Sequence, residues 1–268
     1  MADLIPVSFA EFGNKRWRRP ATLAHGRQEV LVGLSLPEMF KAVTCLPLAF
    51  APQGEAFVPV AVLGLKSGQN LFVAPDGRWL GEYVPAALRA YPFRLLQDQN
   101  GQQLLGFDRE SGLLTEADQP GEPFFEAEGK PAAVIQELLV FLSQMEQGRK
   151  QAVSLSALLR QHGLIQPWPV QVQGPDGKEA ALEGLFRVDE AALRTLPLEA
   201  LGALRDAGAF PLMYCQLLSM QHLGRLAQLA EALARAEQAA PLPLTPDAQE
   251  LDLSFLNHDG AIKLGGVR

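Results

Sequence analysis

The sequence predicts an α+β protein, because the spacing of its apolar residues changes near residue 125. Before that point, short apolar runs alternate with Gly, Pro, Asn and Asp, which is typical of an antiparallel β meander. After it, apolar residues recur at helical intervals of three and four. The 268 residues, 48% of them hydrophobic, are enough to bury a substantial core. We expect a β-rich part over 1–125, a helix-rich part over 126–240, and a tail over 241–268 that packs back on the body.

Turn residues define the strands of the β-rich part. The run AFVPVAVLGL at 56–65 ends before a Ser-Gly-Gln-Asn turn, and LFVA at 71–74 ends before Pro-Asp-Gly. Asn100-Gly101 is the strongest hairpin signal, because both residues tolerate a positive φ. One helix is inserted between the strands: Pro37 suits a first helical turn, and Met39, Phe40 and Val43 then share a face.

Helical periodicity defines the later part. The segment PAAVIQELLVFLSQMEQG at 131–148 predicts a helix that ends at Gly148, and a shorter helix ends at Gly163. Residues 169–188 interrupt the helices with a predicted β-hairpin, and Asp189 then caps the next helix. A long amphipathic helix is predicted over 216–239, with an apolar stripe formed by Leu218, Leu223, Leu226, Leu229 and Leu233.

Charge and hydropathy indicate the location and disfavour two kinds of partner. A net charge of −7 opposes binding to nucleic acid or to an anionic membrane surface. The first residues, MADLIPVSFAEFGNKRWRRP, lack the basic start and apolar stretch of a secretory signal, so we expect a cytoplasmic protein. No stretch is apolar for long enough to span a membrane. In a reducing compartment, Cys45 and Cys215 are expected to be buried thiols rather than a disulfide.

The sequence contains no recognisable catalytic motif, so the catalytic residues stay unknown. Its four histidines are scattered without the spacing that places two metal ligands on one helix face, and neither a metal nor a cofactor is expected. Ser219 and His222 are three residues apart on the predicted long helix and form a candidate polar pair. A serine and a histidine alone do not make a nucleophilic triad, because an orienting acid and an oxyanion hole are also needed.

The segment NLFVAPDGRWLGEYVPAALRAYPF, residues 70–93, holds an unusual concentration of aromatic residues. Phe72, Trp79 and Phe93 occupy positions where strands and turns need an apolar face, and we assign them to the core. The remaining candidates for a binding surface combine amphipathic rings with a guanidinium and an amide, which are residue types enriched at interfaces. These binding candidates are Asn70, Tyr83, Arg89 and Tyr91, together with Ser219 and His222.

Four stretches occur in an order that resembles the SapC family of bacterial proteins. They are LPLAF at 46–50, the segment 60–93, LEGLFRVDEAALRTLP at 182–197, and AFPLMYCQLLSMQHLGRLAQL at 209–229. The family name is associated with surface-layer proteins. The resemblance also implies genomic neighbours that are outer-membrane receptors or flavin-dependent halogenase-like proteins, but it supplies no catalytic residue set.

Three functional hypotheses follow. The favoured one is a non-catalytic cytoplasmic accessory protein that recognises a peptide, a protein partner or a small ligand through the aromatic and arginine surface. A halogenase-like or receptor-associated protein would be a candidate partner. The first alternative is an enzyme with a dispersed site, built from Arg89, Ser219 and His222, that acts with a neighbouring oxidative enzyme. The second alternative is a subunit related to the surface layer.

Overall fold

The computed structural model of the protein describes residues 3–173 and 179–239 and confirms the α+β class. The strands are β1 (Leu4–Pro6), β2 (Lys15–Trp17), β3 (Leu31–Gly33), β4 (Leu48–Gln53), β5 (Ala56–Val62), β6 (Phe93–Gln97), β7 (Gln103–Asp108), β8 (Leu114–Glu116), β9 (Glu122–Pro123), β10 (Ile165–Pro167), β11 (Val170–Gln173), β12 (Glu179–Leu182) and β13 (Phe186–Val188). The α-helices are α1 (Phe9–Phe12), α2 (Leu36–Ala42), α3 (Ala86–Arg89), α4 (Ala133–Gln161), α5 (Glu190–Arg194), α6 (Leu198–Asp206), α7 (Phe210–Ser219) and α8 (Leu223–Ala239).

Within residues 3–173 and 179–239, the strands form four antiparallel sheets. The largest has the order β10-β13-β4-β5-β3, so it combines strands from both the β-rich part and the later part of the chain. Two three-stranded sheets have the orders β1-β7-β6 and β8-β2-β9. Strands β11 and β12 pair with each other, where the sequence predicts a hairpin. The β6–β7 hairpin turns at Asn100-Gly101, as expected, with Gly101 at φ +78°.

Helix α4 is longer than the sequence predicts, because Gly148 does not end it. The helix runs without interruption from Ala133 to Gln161. A Cβ on Gly148 would lie 2.7 Å from the Cδ atom of Pro37, so this glycine allows the start of α2 to approach the α4 backbone. The residue that indicates a helix stop in the sequence is therefore a site of close helix packing.

The C-terminal helices also differ from the prediction in their boundaries. Asp189 caps α5 through its side chain, as expected. The predicted helix over 216–239 begins earlier, at Phe210, and a 3-10 turn over Met220–His222 separates α7 from α8. Leu218 was predicted in the apolar stripe but is 61% exposed. The predicted packing of the tail over 241–268 concerns residues outside those described.

The described residues form two apolar cores. The larger core is mostly aliphatic and packs the five-stranded sheet against α7, α8 and the C-terminal half of α4. The smaller core is mostly aromatic, with Phe12, Phe93, Phe107 and Phe124 packed edge to face or tilted. Helix α4 contributes Ile135 to the aromatic core and Leu155 to the aliphatic one. The two cores are therefore linked by one long helix.

Candidate functional site

Glu38, in the first turn of α2, is a buried carboxylate that accepts four hydrogen bonds. Its Oε2 accepts from the Ser35 N–H at 2.9 Å and from the Ser35 hydroxyl at 2.8 Å. Its Oε1 accepts from the Tyr83 hydroxyl at 2.9 Å and from the Ala86 N–H at 2.6 Å. One side chain therefore ties the start of α2 to the start of α3 and fixes the Tyr83 hydroxyl. The Ser-x-x-Glu spacing at 35–38 is the sequence signal that could have identified Glu38.

Arg89 is held in place by the segment that precedes it. Its Nε donates to the Val84 carbonyl at 3.0 Å, and its Nη2 donates to the Tyr83 hydroxyl at 3.4 Å. The guanidinium carbon lies 5.6 Å from the centroid of the Tyr83 ring and 5.2 Å from that of Phe141 on α4. Burial raises the pKa of Tyr83 well above its ordinary value, and the Glu38 carboxylate raises it further. Tyr83 therefore stays neutral and supports Arg89.

Tyr91 stacks against a histidine that the sequence did not single out. The rings of His25 and Tyr91 are nearly parallel, with centroids 4.1 Å apart and an interplanar angle of 10°. His25 Nε2 lies 3.0 Å from the Leu88 carbonyl oxygen, which can only accept, so this nitrogen carries a proton. Burial lowers the pKa of His25, and it raises the pKa of Tyr91. Both rings are therefore neutral near pH 7.

Arg89 and Tyr91 line a cavity of about 430 Å³, hereafter the Arg89 cavity. One wall is formed by α4, through Val134, Glu137, Leu138 and Phe141. The opposite wall brings together residues of β2, the following loop and the α3–β6 connection: Trp17, Arg19, Pro20, Leu23, Leu88, Arg89, Ala90, Tyr91 and Phe93. Tyr83 is absent from the walls and lies behind Arg89. The cavity lies between the aromatic segment and α4.

The two arginines of the cavity differ in their pairing. The Arg19 guanidinium donates to both carboxylate oxygens of Glu122, at 2.7 and 3.4 Å, and lies 5.8 Å from the centroid of the Trp17 ring. Arg89 has no carboxylate within salt-bridge distance among residues 3–173 and 179–239. Its Nη1 also makes no hydrogen bond within those ranges. Of the two charges, that of Arg89 is the one left for an external anion.

The Asn70 side chain is buried, and both of its polar atoms form hydrogen bonds with the backbone. It is 3% exposed, its Nδ2 donates to the Gly26 carbonyl at 2.8 Å, and its Oδ1 accepts from the Phe72 N–H at 2.9 Å. The side chain thereby joins the loop before β3 to the start of the aromatic segment. Phe72 is buried as expected, and Trp79 is half-buried, with its Nε1 donating to the Tyr83 carbonyl at 3.0 Å.

Ser219 and His222 do not line the Arg89 cavity, and the polar atoms of both side chains contact backbone groups. The Ser219 hydroxyl accepts from the Leu48 N–H at 2.9 Å and donates to the Gln216 carbonyl at 2.6 Å. His222 Nε2 is 2.9 Å from the Val43 carbonyl oxygen. No hydrogen bond joins Ser219 to His222 in the described part of the chain. This placement favours a structural role, and the assignment of both residues to a binding or catalytic site stays a prediction.

Gln216 was missed by the sequence reasoning and belongs with Ser219. Its side chain is fully buried, with Oε1 accepting from the Val188 N–H at 2.9 Å and Nε2 donating to the Leu48 carbonyl at 3.2 Å. It thus bridges β13 and β4. We call Leu48, Val188, Gln216 and Ser219 the Ser219 corner. A glutamine on a helix gives no sequence signal for such a bridge.

Two features are absent from the described residues. Within 3–173 and 179–239, no group of three or more His, Cys, Asp or Glu side chains is placed to hold a metal ion. Among the helices of the same residues, none is long and apolar enough to cross a membrane.

Comparison with known proteins identifies the family. A SapC family model matches residues 7–226. The protein belongs to the SapC family. No curated protein and no solved structure matches the sequence.

The SapC match includes every residue discussed as a candidate for binding. It begins before β2, whose Trp17 lines the Arg89 cavity, and ends within α8, after His222. The Arg89 cavity and the Ser219 corner therefore both lie in the part of the chain that the SapC model describes. The match establishes the family and assigns no role to any of these residues.

Proposed function

We propose that this SapC-family protein is a non-catalytic cytoplasmic accessory protein that binds a ligand bearing a carboxylate on an aromatic or apolar body. The binding site is the Arg89 cavity. The ligand is a small molecule or the end of a peptide or protein partner. The observation that carries the proposal is the Arg89 guanidinium, which lies at the wall of an aromatic cavity and has no carboxylate partner among residues 3–173 and 179–239.

The composition of the cavity supports this ligand class. Tyr91 and Phe141 provide partly exposed ring surface, and the buried rings of Trp17 and Phe93 lie behind the wall. Rings of this kind bind planar or apolar groups at low entropic cost. Arg89 adds a planar cation whose remaining nitrogen can donate to a carboxylate. A volume of about 430 Å³ suits a small aromatic acid or one or two side chains.

Preorganisation is the second support. Arg89 is fixed by Val84 and Tyr83, and Tyr83 is in turn fixed by the buried Glu38. An arginine held by hydrogen bonds loses less conformational entropy when it binds an anion than a freely rotating one. This chain of contacts explains why Tyr83, which does not reach the cavity wall, still belongs to the site.

A ligand series with matched variants tests the proposal. Benzoate, phenylacetate and indole-3-acetate, each compared with its neutral amide, are titrated against the protein by ligand-observed NMR. At least one acid should bind more tightly than its amide, and Arg89→Ala should weaken that acid about tenfold, as expected for the loss of a charged hydrogen bond. Arg78→Ala is the control, because Arg78 is exposed and lies in the same segment without lining the cavity.

The stability of the variants separates binding from folding. Arg89 is exposed, so Arg89→Ala should change the free energy of unfolding by less than about 1 kcal/mol. The proposal fails if no acid binds better than its amide, or if Arg89→Ala and Arg78→Ala bind the acid equally well. A strongly destabilised Arg89→Ala protein would also contradict it, because Arg89 would then serve the fold.

A further inference from the structure

A second cavity, of about 440 Å³ and hereafter the edge groove, is lined by the end strands of two sheets. Within residues 3–173 and 179–239, β3 is an end strand of the five-stranded sheet and lines the groove through Leu31 and Gly33. Strand β6 is an end strand of the β1-β7-β6 sheet and lines the groove through Leu95. Leu142 and Met145 of α4 add apolar surface. The groove therefore combines the backbone of two strand edges with apolar side chains of a helix.

The pairing register shows which backbone groups of β3 lie at its free edge. The Leu63 N–H donates to the Val30 carbonyl, and the Leu34 N–H donates to a carbonyl of β5, so even-numbered residues of this strand bond to β5. In an antiparallel ladder, the residues between them point their N–H and C=O groups away from the partner strand. Leu31 and Gly33 therefore present their backbone groups at the free edge.

Strand β6 also has outward backbone groups. The Asp108 N–H donates to the Pro92 carbonyl and the Asp98 N–H donates to the Gln102 carbonyl, so even-numbered residues bond to β7 and Leu95 points its backbone groups outward. In the described part of the chain, no hydrogen bond outside the sheets reaches these groups of Leu95 or of the two β3 residues. Unpaired edges of this kind are templates for an additional strand.

Gly33 keeps the β3 edge open. It is exposed, its φ lies outside the left-handed region, and a Cβ atom built on it would have no heavy atom within 4 Å. Neither backbone conformation nor packing among the described residues requires a glycine at this position. A strand that approaches β3 meets backbone here rather than a side chain, so β3 is the edge on which we place an added strand.

The charged side chains of the groove define what the added strand has to carry. Glu38 is buried and accepts four hydrogen bonds, and Glu146 accepts from Arg149 at 2.7 and 2.9 Å, so these charges are satisfied. Glu29 and Arg94 are exposed and line the same groove. Among residues 3–173 and 179–239, neither has a side-chain hydrogen bond or an oppositely charged group within salt-bridge distance. An occupant that complements the groove therefore brings one cation and one anion.

The two edges favour a single extended segment over a second folded copy. Because β3 and β6 both line a cavity of about 440 Å³, a strand that pairs with β3 there also has β6 beside it. An isolated peptide has two free edges and tolerates neighbours along both. In a second copy, β5 already occupies one edge of β3 and β7 already occupies one edge of β6, so neither strand can enter the groove without its sheet.

We propose that the edge groove binds an extended segment of another protein, which adds a strand to β3. The segment carries a basic residue for Glu29, an acidic residue for Arg94, and apolar residues that contact Leu142 and Met145. The added backbone hydrogen bonds supply affinity, and the two charges with the apolar contacts supply specificity. This site and its peptide ligand are distinct from the Arg89 cavity and its carboxylate ligand.

Two capped peptides test the proposal on the full-length protein. They are acetyl-Lys-Val-Thr-Val-Thr-Val-Glu-amide and the peptide of reversed order, because the order of the charges selects the direction in which a segment lies. Each is titrated while the amide NMR signals of Leu31 and Gly33 are followed. At least one peptide should shift both signals, and at saturation it should slow the hydrogen exchange of both amides about tenfold or more.

A proline at position 33 removes the outward N–H without removing a hydrogen bond of the β3–β5 ladder. Gly33→Pro should therefore weaken binding of the better peptide about tenfold or more, whereas the matched Gly33→Ala protein keeps the N–H and should bind within about twofold of wild type. The Ala61 amide, which lies inside the β3–β5 ladder, reports whether each variant is folded. The same peptide with methylated backbone nitrogens should not bind wild type, and this control does not depend on the folding of any variant.

The charge assignments have their own controls. Arg94→Gln should weaken the better peptide about threefold and should leave unchanged a peptide whose Glu is replaced by Gln. Glu29→Gln should act in the same way on the Lys of the peptide. Arg89→Ala should not change peptide binding, because Arg89 does not line the edge groove.

Four results would overturn the proposal. The first is that neither peptide shifts the Leu31 and Gly33 signals. The second is equal binding by the peptide with methylated nitrogens or by folded Gly33→Pro protein. The third is protection of both amides before any peptide is added, since the edge would then be covered already, by a second copy if the protection increases with protein concentration. The fourth is loss of peptide binding in Arg89→Ala, which would place the peptide in the Arg89 cavity.

Discussion

The Arg89 cavity and the Ser219 corner both contain polar side chains, but these side chains differ in how many of their polar atoms are hydrogen-bonded. In the cavity, the Tyr91 ring lines the wall, and one nitrogen of Arg89 makes no hydrogen bond in the described part of the chain. In the corner, the polar atoms of Gln216 and Ser219 bind the backbone of β4, β13 and α7, and both side chains are fully buried. Residue type selected both regions as candidates, and only hydrogen-bond saturation distinguishes them.

This difference separates two kinds of cost for a mutation. A saturated buried side chain leaves its backbone partners unpaired when it is removed, so the loss appears in the free energy of unfolding. A cavity side chain that faces solvent leaves little unpaired, so the loss appears in ligand affinity. The Arg89→Ala experiment measures the second kind, and the following variants measure the first.

The largest effect is expected for Gln216→Ala. It leaves the Val188 N–H and the Leu48 carbonyl buried without partners, at a cost of about 3 kcal/mol in the free energy of unfolding. Gln147→Ala, on the exposed face of α4, is the matched control and should change stability by less than about 0.5 kcal/mol. Chemical denaturation measures both. If the two variants were equally stable, the Gln216 hydrogen bonds to β13 and β4 would contribute nothing to the free energy of unfolding.

A smaller loss is expected for Ser219→Ala. Only the Leu48 N–H loses its partner, so the free energy of unfolding should fall by about 1 to 2 kcal/mol. Ser143→Ala on α4 provides the comparison, because its hydroxyl makes no hydrogen bond among the described residues. Acid binding in the Arg89 cavity should be unchanged in Ser219→Ala. A loss of acid binding without a loss of stability would return Ser219 to the candidate site.

The smallest effect concerns the pH dependence set by His25, beside the cavity. Burial lowers the pKa of His25 in the folded protein, so the unfolded chain takes up a proton first as the pH falls. This contribution to stability is complete above the ordinary pKa of 6.5 and decreases as the pH drops from there toward the folded value. His25→Gln should flatten this part of the curve of unfolding free energy against pH, measured by chemical denaturation at a series of pH values. Parallel curves for wild type and His25→Gln would show that His25 titrates alike in both states.

Local sequence patterns predicted much of the fold. The Asn100-Gly101 turn, the helix that begins near Pro37 and the Asp189 cap are all present, because each depends on residues within a few positions. The Gly148 stop was wrong for the opposite reason. A glycine can end a helix or allow close packing inside one, and the deciding contact with Pro37 is more than 100 residues away in the chain.

The candidate site was predicted in part. The aromatic segment contains Arg89 and Tyr91, whose residue types indicate binding, and the structure places both at a cavity wall. Asn70 has the same kind of polar side chain, but it is buried between two loops. The opposite wall of the cavity, including Phe141, was not predicted, because its residues have the spacing that is typical of one face of an ordinary amphipathic helix.

By itself, the sequence determined the α+β class, most element types and the resemblance to the SapC family, because these depend on spacing and order along the chain. The tertiary structure decided which polar side chains are available. Glu38, Gln216 and Ser219 are satisfied by partners 3 to 171 residues away, and Arg89 keeps one nitrogen without a partner in the described residues. Hydrogen-bond saturation is a property of residues brought together from distant positions, so residue spacing does not predict it.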